Sequence, residues 1–109
     1  TSFQALATAQ KFGIAPENFQ TIINASTGRN NTTEVKIDKF VLTEAFDSGF
    51  ALNLMAKDVA IASDIIAENG YMLPLTGDLA DYLKEALEAL GGDPDHTEIY
   101  RHLEHLAAK

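Results

Sequence analysis

The feature that most constrains this chain is a helical period that hardly lapses. Apolar residues recur at three- and four-residue intervals almost throughout, and no stretch alternates as a half-buried strand would. The breaks fall at glycines and prolines. Phe3, Leu6, Ala7 and Phe12 predict a first helix closed by Gly13, since glycine tolerates the positive φ of a helix end. Pro16 opens a second, with Phe19, Ile22 and Ile23 as its buried stripe and Gly28 as its stop. The polar run Thr27 to Thr32 reads as a loop, with Thr32 or Thr33 capping a shorter or broken helical segment through Val35, Ile37, Phe40, Val41, Leu42, Ala45 and Phe46. Asp47-Ser48-Gly49 breaks it. The longest element runs from about Phe50 to Asn69 and stops at Gly70. Pro74 and then Thr76, a good N-cap, are expected to introduce a fifth helix through Leu79, Leu83, Leu87 and Leu90, ended by Gly91-Gly92. The last opens at Asp95, with Glu98 as capping-box partner, and is expected to bury Ile99, Leu103 and Leu106. The pattern implies an all-α, compact bundle of about six helices filling residues 1–109 as one domain.

Composition narrows the function. Eight Lys and Arg stand against 16 Asp and Glu, a net charge of −8. A field of that sign repels phosphate backbones, so the expected partners include no nucleic acid and no anionic membrane surface. No apolar run approaches the ~20 residues that span a bilayer, and nothing reads as a secretory leader. The chain has no cysteine. Thiolate metal sites, disulfides and cysteine nucleophiles are excluded, and the composition suits a reducing cytoplasmic setting. The sequence opens without Met and already in helical pattern at Ser2-Phe3-Gln4-Ala5-Leu6, so we expect a piece of a larger protein.

The long element breaks its own pattern. At roughly 100° per residue with Asn53 at zero, Leu54, Ile65, Ala51, Ala62, Met55, Ile66, Val59 and Leu52 fill an arc from about 100° to about 260°. So wide an apolar arc predicts a central helix. Asp58 falls at about 140°, inside that arc, where an ionised carboxylate is costly unless hydrogen-bonded or paired. Either it caps a neighbouring helix or accepts backbone N–H groups, or it meets a cation from outside the segment. Lys57 is the only basic residue between Lys39 and Lys84, set among Glu44, Asp47, Asp58, Asp64, Glu68, Asp78 and Asp81. Phe50 lies one face along. The pair reads either as a solvated lysine beside an exposed aromatic, or as a lysine for a phosphate or ribose with a phenyl ring for a planar ligand.

At Gly49-Phe50-Ala51-Leu52-Asn53-Leu54-Met55-Ala56-Lys57-Asp58-Val59-Ala60-Ile61-Ala62 the chain resembles the C-terminal domain of the β-hydroxyacid dehydrogenases. That family includes 3-hydroxyisobutyrate dehydrogenase, tartronate semialdehyde reductase and L-threonate dehydrogenase. The likeness extends upstream to the Ala5–Gly13 helix and to Ile23-Asn24-Ala25-Ser26-Thr27-Gly28-Arg29. Downstream it takes in Leu73-Pro74-Leu75-Thr76 and Gly91-Gly92-Asp93-Pro94-Asp95-His96. It implies a fold like the 6-phosphogluconate dehydrogenase C-terminal domain, preceded in the whole enzyme by a Rossmann domain that binds NAD or NADP. It also implies a homo-oligomer and a small hydroxy acid substrate. By the same resemblance Lys57 and Phe50 contact the cofactor, the Ser26 to Asn30 loop lies near the substrate entrance, and Asp58 takes a supporting catalytic role beside a general acid/base Lys upstream of this chain. No G-x-G-x-x-G and no such Lys is present, and Gln4 stands where the family usually has an acidic residue. The chain alone is therefore expected to be inactive and to bind the dinucleotide weakly.

Other features read as structural. His102 and His105, with His96 and Glu98 nearby, could hold a metal but are expected on a solvated terminal face, so no metal site is predicted. Asn24, Asn30 and Asn31 begin N-x-Ser/Thr triplets that carry no meaning without a secretory leader. Tyr71, Tyr82 and Tyr100 fit core edges. The alternative to a dehydrogenase domain is a free-standing helical module that self-associates through apolar faces.

Overall fold

A computed structural model describes residues 1–70 and 74–107. Its elements are α1 (Ser2–Lys11), α2 (Pro16–Asn24), a π-helix (Thr32–Val41), α3 (Leu52–Glu68), α4 (Pro74–Leu90) and a 3-10 turn (His96–Glu98) that runs into α5 (Ile99–Ala107). No strand occurs among the described residues, and the expected six-helix, all-α fold stands. Tyr71 and Leu73 lie outside the described residues.

Two clusters hold the fold together. Leu6, Phe19, Ile37, Val41 and Tyr100 form the first, where α1, α2, the π-helix and α5 meet, with Phe3, Ile23 and Phe46 packed against it. Tyr100 meets Phe3 edge-on at 6.0 Å between ring centroids, and its hydroxyl donates to the Gln10 carboxamide oxygen. Leu6 and Ile37 are fully buried, each removing apolar surface worth roughly 1.5–3 kcal/mol from water. Leu52, Leu83 and Ala86 form the second cluster, where α3 lies along α4 with Met55, Val59 and Ile99 at its edge. Through Tyr100 and Ile99, α5 touches both.

Capping departs from the reading of the sequence in several places. Asn30, not Thr32 or Thr33, caps the π-helix: its Oδ1 accepts from the Thr33 N–H at 3.1 Å, and the Thr33 hydroxyl accepts from the Asn30 N–H at 2.9 Å. The reciprocal pair accounts for Thr33 being buried despite its polarity. Thr76 lies inside α4, which starts at Pro74, because proline already suits the first turn. Gly28 lies beyond the end of α2, which stops at Asn24 and is followed by a Ser26 hydroxyl bonded to the Ile23 carbonyl at 2.8 Å. Gly13, Gly70, Gly91 and Gly92 do take positive φ past their helices, as expected.

The largest departure concerns α3. It is not central, and of its 17 residues only Leu52 is buried. One edge of its apolar arc, Leu52, Met55, Ala56 and Val59, packs on α4. The other, Leu54, Ile61 and Ile65, stays 48, 47 and 52% exposed. A wide arc shows only that a helix can be covered on two sides; here one side is covered. The last helix meets its expected face in part: Ile99 and Leu103 are half-buried and Leu106 is exposed, while Tyr100 and His102 are buried instead. His102 is thus no solvated terminal residue, because its ring packs against Tyr82 at 5.7 Å.

Candidate functional site

Phe50 sits in the irregular segment between the π-helix and α3, two residues before the helix begins. Such a segment has no ladder of its own to fix it, so its backbone must be tied elsewhere. The tie is residues 94–97. The Phe50 carbonyl accepts the His96 N–H at 2.8 Å, and the Pro94 carbonyl accepts the Leu52 N–H at 2.8 Å, making an antiparallel bridge between Ala51 and Asp95. The Asp95 carboxylate accepts from the Gly49 N–H at 3.0 Å and the Thr97 N–H at 3.0 Å, and also from the Ser48 and Thr97 hydroxyls. The Glu98 carboxylate accepts the Asp95 N–H at 2.9 Å, which completes the capping box expected from the sequence.

Electrostatics follow from that crowd of donors. Burial alone would raise the pKa of Asp95, but the hydrogen bonds from Thr97, then those from Ser48 and Gly49, outweigh it and hold the carboxyl at about 2. Burial raises the pKa of Tyr82, with the Glu85 charge adding to it. Burial, then Glu104, does the same to Tyr100.

The predicted residues are placed as follows. Phe50 is 36% exposed, its ring edge-on to the His96 imidazole at 5.6 Å and 74°. Lys57 and Asp58 are exposed on α3, two turns along, and neither makes a hydrogen bond or ion pair with a described residue. Asp58 does lie among apolar side chains, but Leu54, Ile61 and Ile65 around it are themselves open. Its carboxylate neither caps a neighbouring helix nor accepts a backbone N–H of the described residues, which removes one of the two readings of the sequence. Residues 26–30 are exposed at the far end of α2, where Asn30 serves as a cap and donates to the Ser2 hydroxyl at 3.0 Å. No group of three His, Asp or Glu able to hold a metal occurs among the described residues, and no described helix is long and apolar enough to cross a membrane.

Reading the sequence gave Ser48 only a place in a helix break and Asp95 a helix-start role, and weighed His96 beyond that only as a neighbour of a metal set it set aside. The signal for Asp95 was the capping box. Nothing local shows that its second oxygen reaches 46 residues back to Gly49. A cavity of about 800 Å³ also went unforeseen; it lies between the start of α1, residues 30–32 and the α3–α4 pair, with Met55, Val59, Leu79 and Tyr82 in its wall. The buried Tyr82 hydroxyl has no hydrogen-bond partner among the described residues. Phe50, Lys57 and Asp58 do not line this cavity.

Comparison with known proteins gives the family. Residues 1–103 match the family model for NAD-binding of NADP-dependent 3-hydroxyisobutyrate dehydrogenase. The chain is 34% identical over 99 residues to 2-(hydroxymethyl)glutarate dehydrogenase from Eubacterium barkeri, covering 90% of this chain and 33% of that protein. It is 28% identical over 105 residues to a probable mitochondrial 3-hydroxyisobutyrate dehydrogenase from Arabidopsis thaliana, covering 91% of this chain and 30% of that protein. The chain belongs to the β-hydroxyacid dehydrogenase family, a family of oxidoreductases that use NAD or NADP. It spans about a third of the length of the curated relatives it matches.

Proposed function

We propose that this chain is the C-terminal helical wall of the cofactor and substrate cleft in an NAD(P)-dependent dehydrogenase. The substrate pair is a small β-hydroxy acid and its semialdehyde, such as 3-hydroxyisobutyrate on the hydroxy side or tartronate semialdehyde on the aldehyde side. The observation that carries the reading is the set Phe50, Lys57 and Asp58. The ring is fixed on its backbone side yet open to solvent, and the two charges are open and unpaired on the same helix. In a chain of net charge −8, a lysine without a carboxylate partner among the described residues is suited to an external anion.

The residues fit a dinucleotide. Lys57 would hold its phosphate or ribose, and Phe50 would lie along the nicotinamide, narrowing the positions the ring can take. The cofactor, when bound, supplies hydride exchange with the carbinol carbon. Asp58 would orient a lysine, supplied from outside the chain, that handles the hydroxyl proton. The open stripe of Leu54, Ile61 and Ile65 around Asp58 supports that pairing, since it suits an apolar helix carrying one basic residue. Covering this stripe with the rest of the dehydrogenase also accounts for an arc wider than α4 needs. Subunit contacts through the helical domains, and a cytoplasmic setting suited to a chain without cysteine, belong to the same proposal.

Steady-state kinetics of the complete dehydrogenase test it. Lys57→Ala should raise KM for the dinucleotide roughly tenfold or more with kcat little changed, the loss expected for one charge-assisted contact. Asp58→Asn should lower kcat instead. The 109-residue chain by itself should turn over no hydroxy acid. Turnover by that chain, or an unchanged KM in Lys57→Ala, refutes the assignment.

A further inference from the structure

The segment that carries Phe50 is under unusual conformational demand. Glu44 and Phe46 both have positive φ, 58° and 46°, and Gly49 follows at 91°. For non-glycine residues such values are costly and persist only where surrounding contacts over-determine them. Phe46 is held by the first cluster. Beyond it, the hydrogen bonds that join residues 48–50 to other parts of the described chain run to Asp95 and His96. Ser48 is their knot. Its hydroxyl lies 2.8 and 2.9 Å from the two Asp95 oxygens and 2.9 Å from His96 Nδ1. Because the Phe50 carbonyl can only accept, its 3.1 Å contact with His96 Nδ1 requires the proton on that nitrogen. The Ser48 hydroxyl then gives its one hydrogen to the Asp95 carboxylate, and the single Nδ1 proton is shared between the Phe50 carbonyl and the Ser48 oxygen in a three-centre bond. His96 therefore grips Phe50 twice, through the carbonyl and through the edge-on ring. On the other side Asp95 and Thr97 are anchored in the cap of α5, itself packed in both clusters.

We propose that Ser48, Asp95 and His96 are positioning residues that fix the Phe50 ring against the bound dinucleotide and thereby set cofactor affinity. The proposal rests on the reading of Phe50 as a wall of the cofactor cleft. The three residues touch no reacting atom. They act by removing freedom from a loop side chain before binding, so the complex does not bear the ordering cost. Such an effect has a signature that mere stabilisation lacks: it vanishes when Phe50 is gone.

The test is a thermodynamic cycle in the complete dehydrogenase, with dinucleotide Kd read by titration of the reduced cofactor's fluorescence. Ser48→Ala should weaken binding about threefold to tenfold, and Ser48→Thr, which keeps the hydroxyl, should restore most of it. Phe50→Ala should weaken binding at least as much, and Ser48→Ala added to Phe50→Ala should change nothing further. If the two losses add, or if Ser48→Ala binds as well as the parent while Phe50→Ala does not, the positioning role is wrong and the cleft reading survives. If Phe50→Ala leaves Kd unchanged, the cleft reading fails and takes this proposal with it. Should Ser48→Ala fail to fold, His96→Asn must show the same non-additive loss, since it keeps the main-chain bond and removes the ring; an additive or absent loss there overturns the proposal.

Discussion

The two halves of the molecule solve the burial problem differently. Around Leu6, Ile37 and Tyr100, four elements close on one another and the buried residues of the cluster reach 0–8% exposure. Around Leu52 and Leu83, two helices share one seam and leave Leu54, Ile61, Ile65, Leu75 and Leu79 between 46 and 84% exposed. The first half closes a core on all sides, with Phe12, Ile14 and Ile22 left exposed on its outer surface. The second resembles a core with one layer removed, and the candidate site residues Lys57 and Asp58 lie on it. The closed core and the candidate site are thus separated in space. The closed half and the cap of α5 hold the open half in position, and the open half presents the surface that a cleft or a neighbouring domain can use.

That contrast can be broken most directly in the closed half. Leu6→Ala should cost about 2–5 kcal/mol, because the side chain is fully buried and its neighbours on three helices cannot all collapse into the space. Urea unfolding of the 109-residue chain followed by circular dichroism gives the value, and a loss below about 1 kcal/mol would show that this half is packed more loosely than described.

The junction between the halves should respond next. Asp95→Asn should cost about 1–2 kcal/mol at neutral pH, as expected for a lost charged cap. The folded carboxyl titrates at about 2 against an ordinary value of 3.8. Its contribution is therefore complete above 3.8 and lost as pH falls through the folded value. The gap between parent and Asp95→Asn should narrow across that window in acid-unfolding curves. A gap independent of pH would mean the ionised carboxylate is not what holds residues 48–50.

Smallest of all should be Ile65→Ser on the open stripe, within about 0.5 kcal/mol in the 109-residue chain, since the side chain is already half in water. The same change in the complete dehydrogenase should lower stability measurably more. Equal effects in both settings would show that nothing covers this face.

Much of the fold was legible in the sequence because its signals are local. Gly13, Gly70 and Gly91-Gly92 stop helices where they were expected to, Pro16 starts one, and Asp95 with Glu98 forms the capping box that opens the last. The candidate site was legible only in part. Phe50 and Lys57 stand out as an aromatic and a cation on a polar face, and ordered resemblance to the dehydrogenases gave them a role to test.

What tertiary structure decided is which apolar surface is covered. Hydrophobic periodicity gives the width of an arc but not how many neighbours it meets. The same pattern therefore suited a central α3 and the half-open one observed, and with it a buried or an exposed Asp58. His102 shows the converse, buried against Tyr82 although its own helix gave no sign of it. The clamp on Phe50 could not be read at all from local sequence. It joins Ser48 and Gly49 to residues 46 to 48 positions away, and hydrogen bonds across such a separation depend on tertiary packing that holds the two segments together.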